Sequence, residues 1–150
     1  MKELCVVPCG SKKVWDKDPN AGPTKARDVY IGPFAGKCKE YAMKFYPTSW
    51  CILSAKYGFL SPDDIVPGPY NVSFNNKRTN PITTEELRIQ AIQKGLDRYD
   101  QIIVLGGKNY TKITNEIFSL KKVYAPLNSC GGIGHMLGKL DEAIRKGTKI

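Results

Sequence analysis

Short apolar runs, each ending in a loop rich in glycine or lysine, constrain this chain more than any other feature. The loops are Pro8-Cys9-Gly10-Ser11-Lys12-Lys13, Ser54-Ala55-Lys56-Tyr57-Gly58, Gly106-Gly107-Lys108-Asn109-Tyr110 and Asn128-Ser129-Cys130-Gly131-Gly132-Ile133-Gly134-His135. The runs before them, residues 4–7, 50–53, 101–105 and 122–125, are short and read as strands, the first of them apolar and β-branched as buried strands are. Between them lie segments of helical spacing. Phe34, Cys38, Tyr41, Ala42 and Phe45 recur at three- and four-residue steps, and Pro47 stops that helix. Thr83 with Glu86 matches a capping box, opening a helix that carries Leu87, Ile89, Ala91, Ile92 and Leu96 to about residue 99. Further helices are expected over 110–120 and 134–146. Repeated strand–helix alternation specifies a single-domain, three-layer α/β fold over residues 1–150, with a mostly parallel sheet of about four or five strands.

In such a sheet the strand-to-helix loops gather at one edge, where ligands bind. Residues 12–23 read as an exposed loop, and 24–27 as a helix start or an irregular stretch. The proline-rich, polar segment 61–79 is too long for a simple connection and is expected to act as a lid or binding loop. With 23 Lys+Arg against 14 Asp+Glu, the formal charge is +9, which favours polyanionic or phosphorylated partners. Five cysteines without Cys-x-x-Cys spacing, no signal-peptide layout and no apolar run of membrane-spanning length point to a cytoplasmic protein with reduced thiols.

The candidate site residues follow from the loops. Gly10 lets a ligand approach the backbone, Ser11 offers a hydroxyl, and Lys12 and Lys13 offer charge; the alternative is a basic turn. Arg27 and Tyr30 could clamp an anion and stack on a base, or pair with Asp28 or another acid and pack internally. Lys56, flanked by an apolar segment and by aromatics, is expected to be partly buried; a snorkelling lysine is the other reading. Gly106, Gly107, Lys108, Asn109 and Tyr110 open a helix whose free amides suit an anion. Gly131 and Gly132 do the same before the last helix. His135, the one histidine, is an acid–base candidate, a ligand donor or an ordinary helix-start residue. A zinc site from Cys9, Cys130 and His135 lacks the close ligand pairs of structural zinc, so neither metal nor cofactor is expected. Cys9 is also a candidate nucleophile beside lysines, though no base accompanies it. Carboxylates are scarce in these loops, which argues for binding, or for catalysis by electrostatic stabilisation.

Taken together, Cys9-Gly10-Ser11-Lys12-Lys13, residues 26–33, residues 54–60, Pro69-Tyr70 and Gly132-Ile133-Gly134 make the chain resemble a small α/β family related to the YaaA-type superfamily. Gly10 between the cysteine and serine, Phe59 before Leu60, and His135 after the last glycine depart from that pattern. The resemblance implies an α/β fold and a link to nucleotide or nucleic-acid biology, with kinship to base-processing glycosidases.

The resulting expectation is a nucleotide-like or nucleobase-bearing anion bound at the C-terminal edge of the sheet. Lys12, Lys13, Arg27, Lys56 and Lys108 would hold phosphate, with hydrogen bonds from Ser11, Asn109 and the backbone of Gly106-Gly107 and Gly131-Gly132 and stacking by Tyr30, Tyr57 or Tyr70; Cys9, Gly10, Ser54 and Tyr110 are further candidates for contact with the ligand. Any catalysis, cleavage or transfer at an N-glycosidic bond, would fall to Ser11, Lys56 and His135. Two other readings stand beside it: a non-catalytic nucleic-acid-binding protein, and a sequestering protein for a small signalling nucleotide.

Overall fold

β1 (Glu3–Pro8) is buried from Leu4 to Pro8 and pairs with a strand on each side, which makes it the centre of the sheet. The computed structural model describes residues 2–150. After β1 come α1 (Val14–Lys17), β2 (Thr24–Lys25), α2 (Ala26–Val29) and α3 (Pro33–Phe45), then β3 (Trp50–Ser54), β4 (Gly58–Leu60) and β5 (Ile65–Val66). The chain continues through α4 (Thr84–Gln93), β6 (Gln101–Val104), α5 (Lys108–Ile117), β7 (Lys122–Tyr124) and α6 (Ile133–Lys146). The main sheet runs β4-β3-β1-β6-β7, all pairings parallel except β3 with β4; β2 and β5 form a separate antiparallel pair. No helix is long and apolar enough to cross a membrane among the described residues.

Period-two alternation along β1 builds both faces of the core. Cys5 and Val7 join Cys38, Tyr41 and Ala42 of α3 and Leu140 and Ala143 of α6. Leu4 and Val6 join Leu87 and Ala91 of α4 and Phe118 beyond α5. Burial pushes the thiols of Cys5 and Cys38 well up, and that of Cys51 to about 12, so these three cysteines serve as packing.

Three local expectations are corrected. Residues 12–23 are not all exposed loop: α1 forms there and buries Trp15, whose indole N–H donates to the Ala21 carbonyl at 2.7 Å. The loop after β3 leads into β4 rather than a helix, a hairpin that the strand–helix alternation does not reveal. The helix capped by Thr83 ends at Gln93 because Gly95 turns left-handed (φ 70°), and a 3-10 turn, Leu96–Arg98, replaces its last part. The long segment 61–79 itself contains β5 and a 3-10 turn, Lys77–Thr79.

The β3–β4 hairpin turns on Gly58 at φ 75°, where an added Cβ would press into the Gln90 side chain and lie 2.9 Å from Ile82. Gln90 reads this turn: it accepts from Phe59 N–H at 2.6 Å and donates to the Tyr57 carbonyl at 2.8 Å. Gly58→Ala is therefore expected to cost about 1–3 kcal/mol, from the left-handed backbone and the displaced Gln90 together. Urea unfolding with an unchanged midpoint would contradict this.

Candidate functional site

Because β1 connects to β3 on one side while β6 lies on the other, successive connections leave β1 and β6 in opposite directions. Their carboxyl ends bound a crevice at the point where strand order reverses, the usual ligand position in open α/β sheets. A cavity of about 590 Å³ lies there. One wall is the β1 loop, with Cys9, Gly10, Ser11 and Lys13; a second is the start of α5, with Gly107, Lys108, Asn109 and Tyr110. Ala55 and residues 71–75 of the long segment close it.

The β1 loop is held by backbone contacts that carry Lys13 inward. Lys13 N–H donates to Asp16 at 2.8 Å, Ile31 N–H donates to the Lys12 carbonyl at 3.1 Å, and Lys13 forms a β-bridge with Tyr30. Lys13 is consequently only 6% exposed. Its ammonium donates to the Ser11 carbonyl at 3.1 Å and lies 4.4 Å from the Tyr70 ring centroid. Burial lowers its pKa, with Cys9 and Asp16 working the other way. Beside it the Cys9 thiol and the Tyr110 hydroxyl lie 3.3 Å apart, and burial, with Cys9, pushes the Tyr110 phenol well up.

A chain of hydroxyls fastens the long segment to the sheet. The Tyr70 hydroxyl is hydrogen-bonded to those of Tyr30 and Ser54, the latter at 2.9 Å. Ser54 Oγ in turn accepts from the N–H groups of Lys56 at 3.2 Å and Tyr57 at 3.1 Å. Burial pushes the Tyr30 phenol to about 12 and that of Tyr70 further still, so both stay neutral at physiological pH and the chain acts as a clasp. Two more contacts hold the segment against α5: Phe74 meets the Tyr110 ring edge-on at 5.8 Å, and Asn109 donates to Asn75.

The structure brings Cys9, Gly10, Ser11, Lys13, Gly107, Lys108, Asn109 and Tyr110 to one cavity. Gly106 stands behind it at φ 131°, where a Cβ would meet the Tyr110 ring at 3.2 Å. Tyr30, Ser54 and Tyr70 form the clasp beside it, and Tyr57 packs edge-on against Tyr70. Lys56, expected to be partly buried, is exposed: its ammonium sits 5.3 Å from the Tyr57 ring centroid and 5.5 Å from that of Tyr70. Lys12 lines a neighbouring hollow. Arg27 lies outside the cavity and pairs with Asp63 at 3.0 Å. Gly131 and His135, with Cys130, line a different surface depression, and Gly132 caps α6, so Cys9 is not assembled with Cys130 and His135. Sequence reasoning marked the long segment but none of Asn71, Ser73, Phe74 and Asn75, which line the cavity; the signal available was its run of side-chain amides.

Residues 4–142 match a family of unknown function (DUF6884). The chain belongs to this family. It is also similar to the uncharacterized protein YfjM of Bacillus subtilis (strain 168), 44% identical over 147 residues, which is 97% of each chain. No solved structure matches the chain.

If the clasp holds the cavity wall, Tyr70→Phe leaves the buried Tyr30 and Ser54 hydroxyls short of a partner. The expected cost is about 1–3 kcal/mol, with faster amide hydrogen exchange across residues 71–75. Exchange there that stays at the wild-type rate would show that other contacts hold the wall.

Proposed function

We propose that the protein binds a nucleotide-like or nucleobase-bearing anion in the cavity at the ends of β1 and β6. One observation carries the reading. Lys13, Lys108, the glycine-bearing β1 loop and the amino end of α5 line the same cavity, with amide side chains opposite. The volume of about 590 Å³ suits a small organic ligand rather than a bare ion. The motif resemblance to the YaaA-type superfamily, and with it a link to nucleotide biology, belongs to this proposal.

Binding comes first in it, because no Asp, Glu or His lines the cavity among the described residues. Ser11 lines it, whereas Lys56 and His135, the other two catalytic candidates, do not. Cleavage or transfer at an N-glycosidic bond here would rest on electrostatic stabilisation by the residues lining the cavity, not on a carboxylate pair. A sequestering role for a small nucleotide needs no more than the lining supplies. The +9 charge supports a second reading, binding of nucleic acid over a broad basic face.

Titration calorimetry with mononucleotides and with short DNA and RNA, at two salt concentrations, separates these. The pocket reading expects saturable mononucleotide binding that weakens about tenfold in Lys108→Gln. Binding of oligonucleotides alone, fading steeply with salt, would overturn it in favour of the broad face.

The depressed Lys13 pKa adds a pH signature. An anion nearby favours the ammonium and raises that pKa again, so binding takes up a proton. Affinity is then full below the depressed value of the free protein and is lost as pH rises through the higher value of the complex. Lys13→Met should bind more weakly and lose this alkaline decline. An alkaline limb of the same slope in the variant would place the titrating group elsewhere.

A further inference from the structure

A second cavity, of about 400 Å³, adjoins the first on the other side of the β1 loop. The two share Gly10, Ser11, Gly107 and Tyr110, so these residues form a waist between them. The chambers differ in chemistry. Lysines, asparagines and serines line the first. The second is walled by Pro33 and Phe34 at the start of α3 and by Ile133 and Met136 of α6, and among the described residues Lys12 is its only charged lining residue. Two waist residues carry no side chain. Gly10 sits at φ 73°, where other residues are strained, and a Cβ built on Gly107 would meet nothing within 4 Å.

We infer that one ligand spans both chambers, with its anionic group in the polar one and a flat, uncharged, largely apolar group between Phe34 and Met136. This deepens the nucleotide reading and rests on it: phosphate takes the polar chamber and the base takes the apolar one. The aromatic rings of the polar chamber and its clasp are already engaged. The Lys13 ammonium lies over Tyr70, Tyr57 meets Tyr70 edge-on, and Phe74 and Tyr110 face each other. Phe34 and Met136 pack against the core on one side and line the apolar chamber on the other, where a flat group at the end of the same ligand would meet them. Apolar surface removed from water there adds affinity that a bare anion cannot obtain. Recognition is thereby divided: charge fixes the anion, and the shape of the apolar chamber selects what is attached to it.

Met136 gives a direct readout. With carbon-13 in the methionine methyl groups, the protein is titrated with inorganic phosphate, with four common ribonucleosides, and with their 5′-monophosphates. Met43, exposed on α3, serves as the control signal. At least one monophosphate and its nucleoside are expected to move the Met136 methyl signal through the ring current of the base, while phosphate leaves it in place. In Ile133→Glu, a change at an exposed position, nucleoside and monophosphate should bind about tenfold more weakly and phosphate as before. A monophosphate that binds saturably with Met136 unmoved would overturn the two-chamber inference and leave the nucleotide reading standing. The same holds if phosphate alone moves Met136. Failure of every probe to bind would overturn the nucleotide reading and this inference with it.

Discussion

Where β1 ends decides where everything at the site can be. The strand is covered by helices on both faces and paired on both edges, so it can neither slide nor tilt without exposing Leu4, Val6 and Val7. Each buried aliphatic side chain of this kind contributes about 1.5–3 kcal/mol. A slip of one residue would exchange the two faces of the strand. Its register therefore sets the exit of the Cys9–Lys13 loop opposite the start of α5. The cavity follows from that placement, since strand order reverses between β1 and β6.

Around this fixed point the chain keeps a buried cation. Lys13 surrenders hydration on entering the wall, and it recovers part of it from the Ser11 carbonyl and the Tyr70 ring. Among the described residues, no carboxylate is in direct ion-pair contact with its ammonium. Arg27 with Asp63 and Lys94 with Asp64, by contrast, are paired outside the cavity. An anionic ligand would complete the compensation at Lys13, which links the energetics of the fold to the site's selectivity. The clasp serves the same end. Two neutral phenols and a serine hold residues 71–75 against the lysine without adding a charge that would compete for it.

The layers and the central strands were legible in the sequence because both rest on hydrophobic period, the signal a long apolar segment carries best. The Thr83 cap was legible for a local reason, its hydroxyl accepting from Glu86 N–H at 3.1 Å. β4 was not, since Gly58–Leu60 is too short to show a period and its antiparallel pairing is set by Gln90, distant in sequence. Lys13 was recognised as a candidate yet its burial was not. Beside Ser11 and Lys12 it reads as part of a solvated basic turn, and the single helical turn that draws it inward has no periodicity to read. Pairing of Arg27 with Asp28 or another acid was one of its two readings, but which acid was not legible: the β2–β5 pairing brings Asp63 to it. Such contacts depend on which segments fold next to each other, and a single sequence does not state that.

In the proposed function an anionic ligand sits in the cavity at the ends of β1 and β6. An amide proton–nitrogen correlation spectrum recorded during titration with a binding mononucleotide tests it most directly. The expected result is a common, saturable movement of the Gly10, Ser11, Lys108 and Asn109 amides, all at the mouth of that cavity. Movements spread over the outer lysine-bearing helix faces, with those four amides unchanged, would contradict the account.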